Sequence, residues 1–225
     1  MPEMFLIRAS LKQDASIASI ASLLLPAEPA ARVGAAHRLV WSLFAGDAAR
    51  KRDFLWREDT ANNFYILAPQ LPAESAIFDV QSKPFAPHLT EGDFLQFSLR
   101  ANATRAYKPA GSQARGKRAD VVMARLYAAE DRAAARPAVI QEAGAAWLAA
   151  QGARHGFSLS GAPAVDGYAR LRLPRAGTGK IDISTLDFSG VLKITDPAAF
   201  LRALYHGFGH AKAFGCGLML IRRAG

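Results

Sequence analysis

Between Met4 and Ser82 the apolar residues pass from a short continuous run to a spacing of about 3.6 and back to short runs, and this order constrains the fold more than any other feature. Met4 to Ala9 is a short apolar run with strand character. Ala15 to Leu25 repeats apolar residues at helical spacing until Pro26 interrupts it. Beyond Pro29 the helical spacing resumes with Val33, Ala36, Val40, Leu43 and Phe44, and Gly46 supplies a stop. Phe54 to Arg57 and Phe64 to Leu67 are aromatic-rich runs around the turn-prone Asp59-Thr60-Ala61-Asn62-Asn63, so they read as a hairpin, and Ala76 to Ser82 adds a strand. Strand, helices, strand, strand, strand is close to the split βαβ arrangement called ferredoxin-like.

A Pro-rich stretch, Pro84 to Pro87, ends this unit, and Asp93 to Arg100 opens another with a strand rich in Phe and Leu. Arg136 to Gln151 reads as an alanine-rich helix. Gly156 to Ser160, Tyr168 to Leu173 and Lys180 to Ile194 read as strands, and Gly217 to Arg222 as the last. Between them Asp196-Pro197 begins a helix, Asp196 as N-cap and Pro197 at the first helical position, running to about Tyr205. The expectation is an α+β protein of two tandem ferredoxin-like (RRM-like) domains, residues 1–86 and 92–225, with 225 residues and 51% hydrophobic content sufficient for two cores.

Twenty-eight Lys and Arg against nineteen Asp and Glu leave a formal charge of +9, a field that attracts polyanions. No run reaches the roughly 18 apolar residues of a membrane span, and Met1-Pro2-Glu3-Met4 lacks the basic start of a signal peptide, so a cytoplasmic protein without a membrane partner is expected. The single cysteine, Cys216, excludes an internal disulfide and a multi-cysteine zinc site and reads as a small buried hydrophobe. The acidic residues are scattered singly, with no Asp-x-Asp or His-x-x-x-His arrangement, so no metal or other cofactor is expected.

Four glycines fall within eleven residues from Gly207 to Gly217, between a helix and a strand. A loop containing Gly207, Gly209 and Gly215 can turn its N–H groups toward phosphate oxygens, with Lys212 as counter-charge; a packing role is the alternative. The spacing fits neither a Walker loop nor a dinucleotide fingerprint. Two basic stretches are candidate RNA contacts. Arg100, Arg105, Lys108, Arg115, Lys117 and Arg118 lie between Asp93 and Asp120 without an acidic residue, and are expected to be a solvated, partly disordered loop without RNA. Arg172, Arg175 and Lys180 flank a turn at Pro174 and Gly177-Thr178-Gly179, where a basic hairpin could enter the opened end of an RNA stem.

The run Gly207-Phe208-Gly209-His210-Ala211-Lys212-Ala213-Phe214-Gly215-Cys216-Gly217-Leu218 resembles the C-terminal signature of the CasE family, the type I-E CRISPR endoribonucleases that process precursor guide RNA. Phe188 to Asp196, Phe97-Ser98-Leu99-Arg100-Ala101-Asn102 and His37-Arg38-Leu39-Val40-Trp41-Ser42-Leu43-Phe44 resemble three further segments of that family. The resemblance implies that His37 is catalytic and that attack of a 2′-hydroxyl gives 2′,3′-cyclic phosphate and 5′-hydroxyl ends. It also implies a CRISPR repeat stem-loop RNA as substrate and the other subunits of a type I-E surveillance complex as partners. An imidazole with a pKa near 6.5 suits such proton transfers. Family members often carry a tyrosine one turn before the histidine, where this chain has Gly34, which leaves Lys212, His210 or no residue as the second proton-transfer group. A non-catalytic RNA-binding subunit is the alternative reading, although the aromatic pattern of an RRM is not visible.

Overall fold

The computed structural model describes residues 3–44, 52–60, 62–107, 117–174 and 179–224. The first unit contains strands β1 (Phe5–Leu11), β2 (Leu55–Glu58), β3 (Asn63–Ala68) and β4 (Phe78–Pro84), with helices α1 (Ala15–Leu24) and α2 (Pro29–Ser42) between β1 and β2. The sheet order is β2-β3-β1-β4 and every neighbouring pair is antiparallel, which is the ferredoxin-like order with only a connection where the second crossover helix would lie.

The second unit repeats the plan. Its strands are β5 (Phe94–Ala101), β6 (Thr104–Tyr107), β7 (Lys117–Asp120), β8 (Phe157–Leu159), β9 (Ala164–Pro174), β10 (Lys180–Ile194) and β11 (Met219–Arg223); its helices are α3 (Val121–Leu126), α4 (Arg132–His155) and α5 (Pro197–His206). The main sheet runs β11-β5-β10, after which the two ends of β10 pair separately with β8 and β9. The chain is therefore α+β with two tandem ferredoxin-like folds. Strands β6 and β7 form a separate antiparallel ribbon, so the two ends of the first basic stretch are paired strands, while residues 108–116 between them lie outside the described residues.

Side-chain capping fixes the helix starts. Asp14 accepts from the Ile17 N–H, and Glu28 from those of Ala30 and Ala31, which starts α2 at Pro29, a full turn before the apolar spacing resumes. Asp196 caps α5 as expected, and Asp131 starts α4 earlier than its apolar pattern announces. The α2 stripe of Ala36 and Val40 packs with Ile7, Trp56, Phe64 and Ile66 in the first core. Leu99, Leu148, Phe188, Phe200 and Leu204 centre the second.

Met4, Leu55, Leu67 and Leu218 form a third, smaller apolar cluster that joins the two units. Beside it the buried Arg57 donates from Nη1 to the Ser98 hydroxyl at 3.0 Å, bridging β2 and β5. The cluster and the bridge fix the first sheet against the second, and so fix α2 relative to the glycine-rich segment after α5.

Candidate functional site

The glycine-rich segment after α5 is held by both units. Phe208 N–H donates to the Gly217 carbonyl at 2.9 Å, and Gly217 N–H donates to the Arg100 carbonyl at 2.7 Å, closing the loop on itself and onto β5. Asn102 forms a backbone bridge with His210, and its Nδ2 donates to the Ser184 carbonyl at 2.7 Å. The Leu-Arg-Ala-Asn segment of β5 is thus the anchor of the loop. From the other side the Trp56 indole donates to the Ala213 carbonyl at 3.3 Å.

Two glycines are required by this clamping. Gly207 has φ +81°, and a Cβ there would stand 2.8 Å from a Leu55 methyl. Gly215 has φ +77°, and its Cβ would meet the Trp56 ring at 3.3 Å. Gly209 lies as close to its neighbours: an added Cβ would sit 3.0 Å from the Asn102 carbonyl oxygen. In these contacts the glycines serve close packing, the alternative that the sequence left beside phosphate binding. Cys216 is buried between them, its thiol pushed up to about 12 by burial, as expected of a small hydrophobe.

The result of the clamp is a short 3₁₀ turn, Lys212–Phe214, packed against α2 beside His37. The Phe214 ring lies 6.2 Å from the His37 imidazole and the Trp41 indole 6.4 Å from it, centroid to centroid. His37 Nδ1 is buried and has no hydrogen-bond partner among the described residues. Burial, then the charges of Arg52 and Arg38, push the imidazole pKa below its ordinary value. Lys212 is likewise pushed down, first by burial and then by Arg52. Arg52 is tied by its Nη1 to the Phe54 carbonyl at 2.9 Å. Burial first, and the charge of this one arginine second, favour the neutral form of both His37 and Lys212, which keeps the imidazole neutral near pH 7 and makes the ammonium a readier proton donor. His210 responds to burial, Arg118 and Lys212 instead.

Arg52, Lys212 and His210 open onto a cleft of about 1130 Å³. Its lining includes Arg105 and Arg118, on β6 and β7, together with Gly207 and Gly209. Lys117 belongs to β7, whereas Lys108, Arg115 and Arg175 lie outside the described residues. Arg100 does not join this group. Its guanidinium makes a two-pronged pair with Asp187, Nε to Oδ1 at 2.8 Å and Nη2 to Oδ2 at 2.7 Å, next to a different recess. Arg172 and Lys180 stand on the β9–β10 hairpin, whose β9 lies against α2. Arg172 pairs with Asp182 at 2.8 Å, both largely exposed, a contact that a phosphate can replace at little cost.

Sequence reasoning missed Arg52, the last residue of the basic run Arg50-Lys51-Arg52, and the cleft arginines Arg125, Arg154 and Arg202. A signal for the last existed: Arg202 and His206 are four apart on α5, one helical face. Among the described residues no three His, Cys, Asp or Glu side chains converge in a way that could hold a metal ion. No helix among them is long and apolar enough to cross a membrane.

A family model described as CRISPR associated protein matches residues 4–223. The Cascade subunit CasE of Escherichia coli K12 is 29% identical over 197 residues, covering 81% of this chain and 88% of that protein. Among solved structures, Thermus thermophilus Cse3 bound to an RNA representing a pre-cleavage complex superposes with a TM-score of 0.68 at 23% identity, covering 98% and 99% of the two chains. Cas6e from Escherichia coli K-12 gives 0.61 at 20% identity, covering 98% and 100%. At these identities the superpositions speak for the shared fold.

Proposed function

The chain belongs to the CRISPR associated protein family, and on that premise we propose that it is a metal-independent endoribonuclease that cuts CRISPR repeat hairpins in precursor RNA. The observation that carries this reading is the packing of the Lys212–Phe214 turn against α2 beside His37, with Arg52 and Lys212 lining a cleft rich in cations. His37 takes the proton of the 2′-hydroxyl as its oxygen attacks the adjacent phosphorus in line. The bond to the 5′-oxygen breaks, and Lys212 gives that oxygen a proton. The products are a 2′,3′-cyclic phosphate and a 5′-hydroxyl, and no water is consumed. Arg52 stays charged throughout and offsets the charge that builds on the phosphoryl oxygens.

Arg172 and Lys180, with Arg175, reach for the repeat stem, because β9 brings that hairpin to the catalytic helix. Arg105 and Arg118, with Lys108, Arg115 and Lys117, extend the basic surface from the other side. The glycines at 207, 209 and 215 act through the turn that carries Lys212. Arg100 acts at one remove, through its pair with Asp187. The protein is cytoplasmic and keeps its cut guide RNA in this reading; a relative that is a Cascade subunit and a similar fold within an RNA-guided surveillance complex support its joining a multi-subunit complex, and the two sheets support domains of residues 1–86 and 92–225.

Incubation of an end-labelled repeat hairpin with the protein in excess EDTA tests the reading. One cut on the 3′ side of the stem, ending in a cyclic phosphate, is expected. Gly34, in place of the tyrosine that often precedes the family's histidine, favours a second reading, an RNA-holding subunit that does not cut; tight binding with intact RNA at every metal concentration is its signature.

A further inference from the structure

Beyond Lys212 the cleft is lined by α3, α4 and α5 of the second unit and by the β6–β7 ribbon, and neither His37 nor any residue of β9 or β10 lines it. Its lining holds six arginines, one lysine and three histidines, and no carboxylate. Arg125, Arg154 and Arg202 come from three different helices, and all three are exposed. Only Arg125 has a described ion pair, a 3.6 Å contact with the exposed Glu142. Between the arginines lie Ala143, Trp147 and Ala203, all buried, so the cations form a rim over a small apolar floor. Cations gathered this closely repel one another, and a row of phosphates relieves that repulsion.

The shape selects the form of the polyanion. A duplex is convex and carries its phosphates on the outside in two rows, whereas a concave rim over an apolar floor fits one backbone with its bases turned inward. Resting on the catalytic reading above, we infer that this cleft holds the single-stranded RNA that leads away from the scissile phosphate, with Arg154 and Arg202 on its backbone. Arg52 and Lys212 belong to both the cleft and the His37 site, so the strand passes continuously from one to the other.

The test compares the parent protein with an Arg154→Ala/Arg202→Ala double variant; both positions are exposed. Three RNAs are used, each with a 2′-deoxy sugar at the cut: a bare stem-loop that ends one nucleotide beyond the cut, and the same stem-loop with a single-stranded extension on its 5′ or its 3′ side. Affinity is measured across a series of salt concentrations. Each single-strand phosphate contact contributes about 0.7 to the slope of log affinity against log salt, so the variant should lose about 1.4 on one extended RNA. It should lose nothing on the bare stem-loop, and it should still cut the ribose form of that stem-loop. The extension that responds identifies the side of the cut. Unchanged slopes on both extended RNAs overturn the inference and leave the cleft to an acidic protein partner. Equal losses on all three RNAs overturn it as well, because the arginines then act on the stem. If the parent neither binds nor cuts the bare stem-loop, the catalytic reading itself fails.

Discussion

Replacing Gly207 by alanine tests how the glycine-rich turn is built. Gly207 has φ +81° and ψ 152°, a region open essentially to glycine, which costs about 1–3 kcal/mol for any other residue. The new methyl would also stand 2.8 and 2.9 Å from the two Leu55 methyls and 3.1 Å from the Gly217 carbonyl oxygen. Leu55 is only 4% exposed, in the cluster that joins the two units, so it has little room to turn away. Such crowding costs another ~1–3 kcal/mol. Gly92→Ala is the control, since Gly92 also has positive φ, +92°, but nothing lies within 4 Å of its added Cβ. At roughly 2–4 °C per kcal/mol for a chain of this size, Gly207→Ala should melt about 2–12 °C below Gly92→Ala in thermal unfolding followed by circular dichroism. Single-turnover cleavage should fall by up to about 10²-fold, because displacing the turn moves Lys212 relative to His37. Equal melting temperatures for the two variants would refute the packing of the turn on Leu55. A Gly207→Ala protein that cuts at the parental rate would refute the link between that packing and catalysis.

Three further outcomes are expected. The cleavage rate should rise with pH to a plateau, with its midpoint below the ordinary histidine value of about 6.5 because His37 must be neutral; Arg52→Gln removes a repelling charge and should move the midpoint upward in a single-turnover pH series. Gly34→Tyr should restore a side chain at the position where the related proteins often have one, since an added Cβ there meets only Arg38 Nη1 at 3.7 Å; if Lys212 is the proton donor, it changes the rate of the parent little but partly rescues Lys212→Ala. His37, His155 and His210 all have lowered folded-state pKa values, first through burial, so below about pH 6.5 the unfolded chain takes up more protons and stability should fall as pH drops through the folded values, measurable by urea unfolding.

The core strands of both units were legible because their apolar residues alternate or run together between turn residues, and the last helix because Asp196-Pro197 marks its start without ambiguity. The early starts of α2 and α4 were hidden, since Glu28 and Asp131 cap segments such as Arg132 to Arg136 that show no apolar stripe. The β6–β7 ribbon was hidden for a different reason: its pairing is local and its residues basic, so composition suggested a loop where backbone pairing made order. His37, Lys212 and the glycines were legible as motifs. Their meeting was not, because it depends on contacts such as Trp56 to Ala213 that join segments 157 residues apart. Arg52 and the cleft arginines carry no local signal that separates them from solvated surface charge.

In the proposed reaction His37 acts as a neutral base and no metal ion takes part. The most direct test is single-turnover cutting of a repeat hairpin in excess EDTA by the parent and by His37→Ala, with hairpin affinity measured alongside. Parental cutting should survive the chelator, and the variant should lose about 10²–10⁴-fold in rate with nearly unchanged affinity. Cutting by His37→Ala at the parental rate, or parental cutting abolished by EDTA and restored by a divalent ion, would contradict this mechanism.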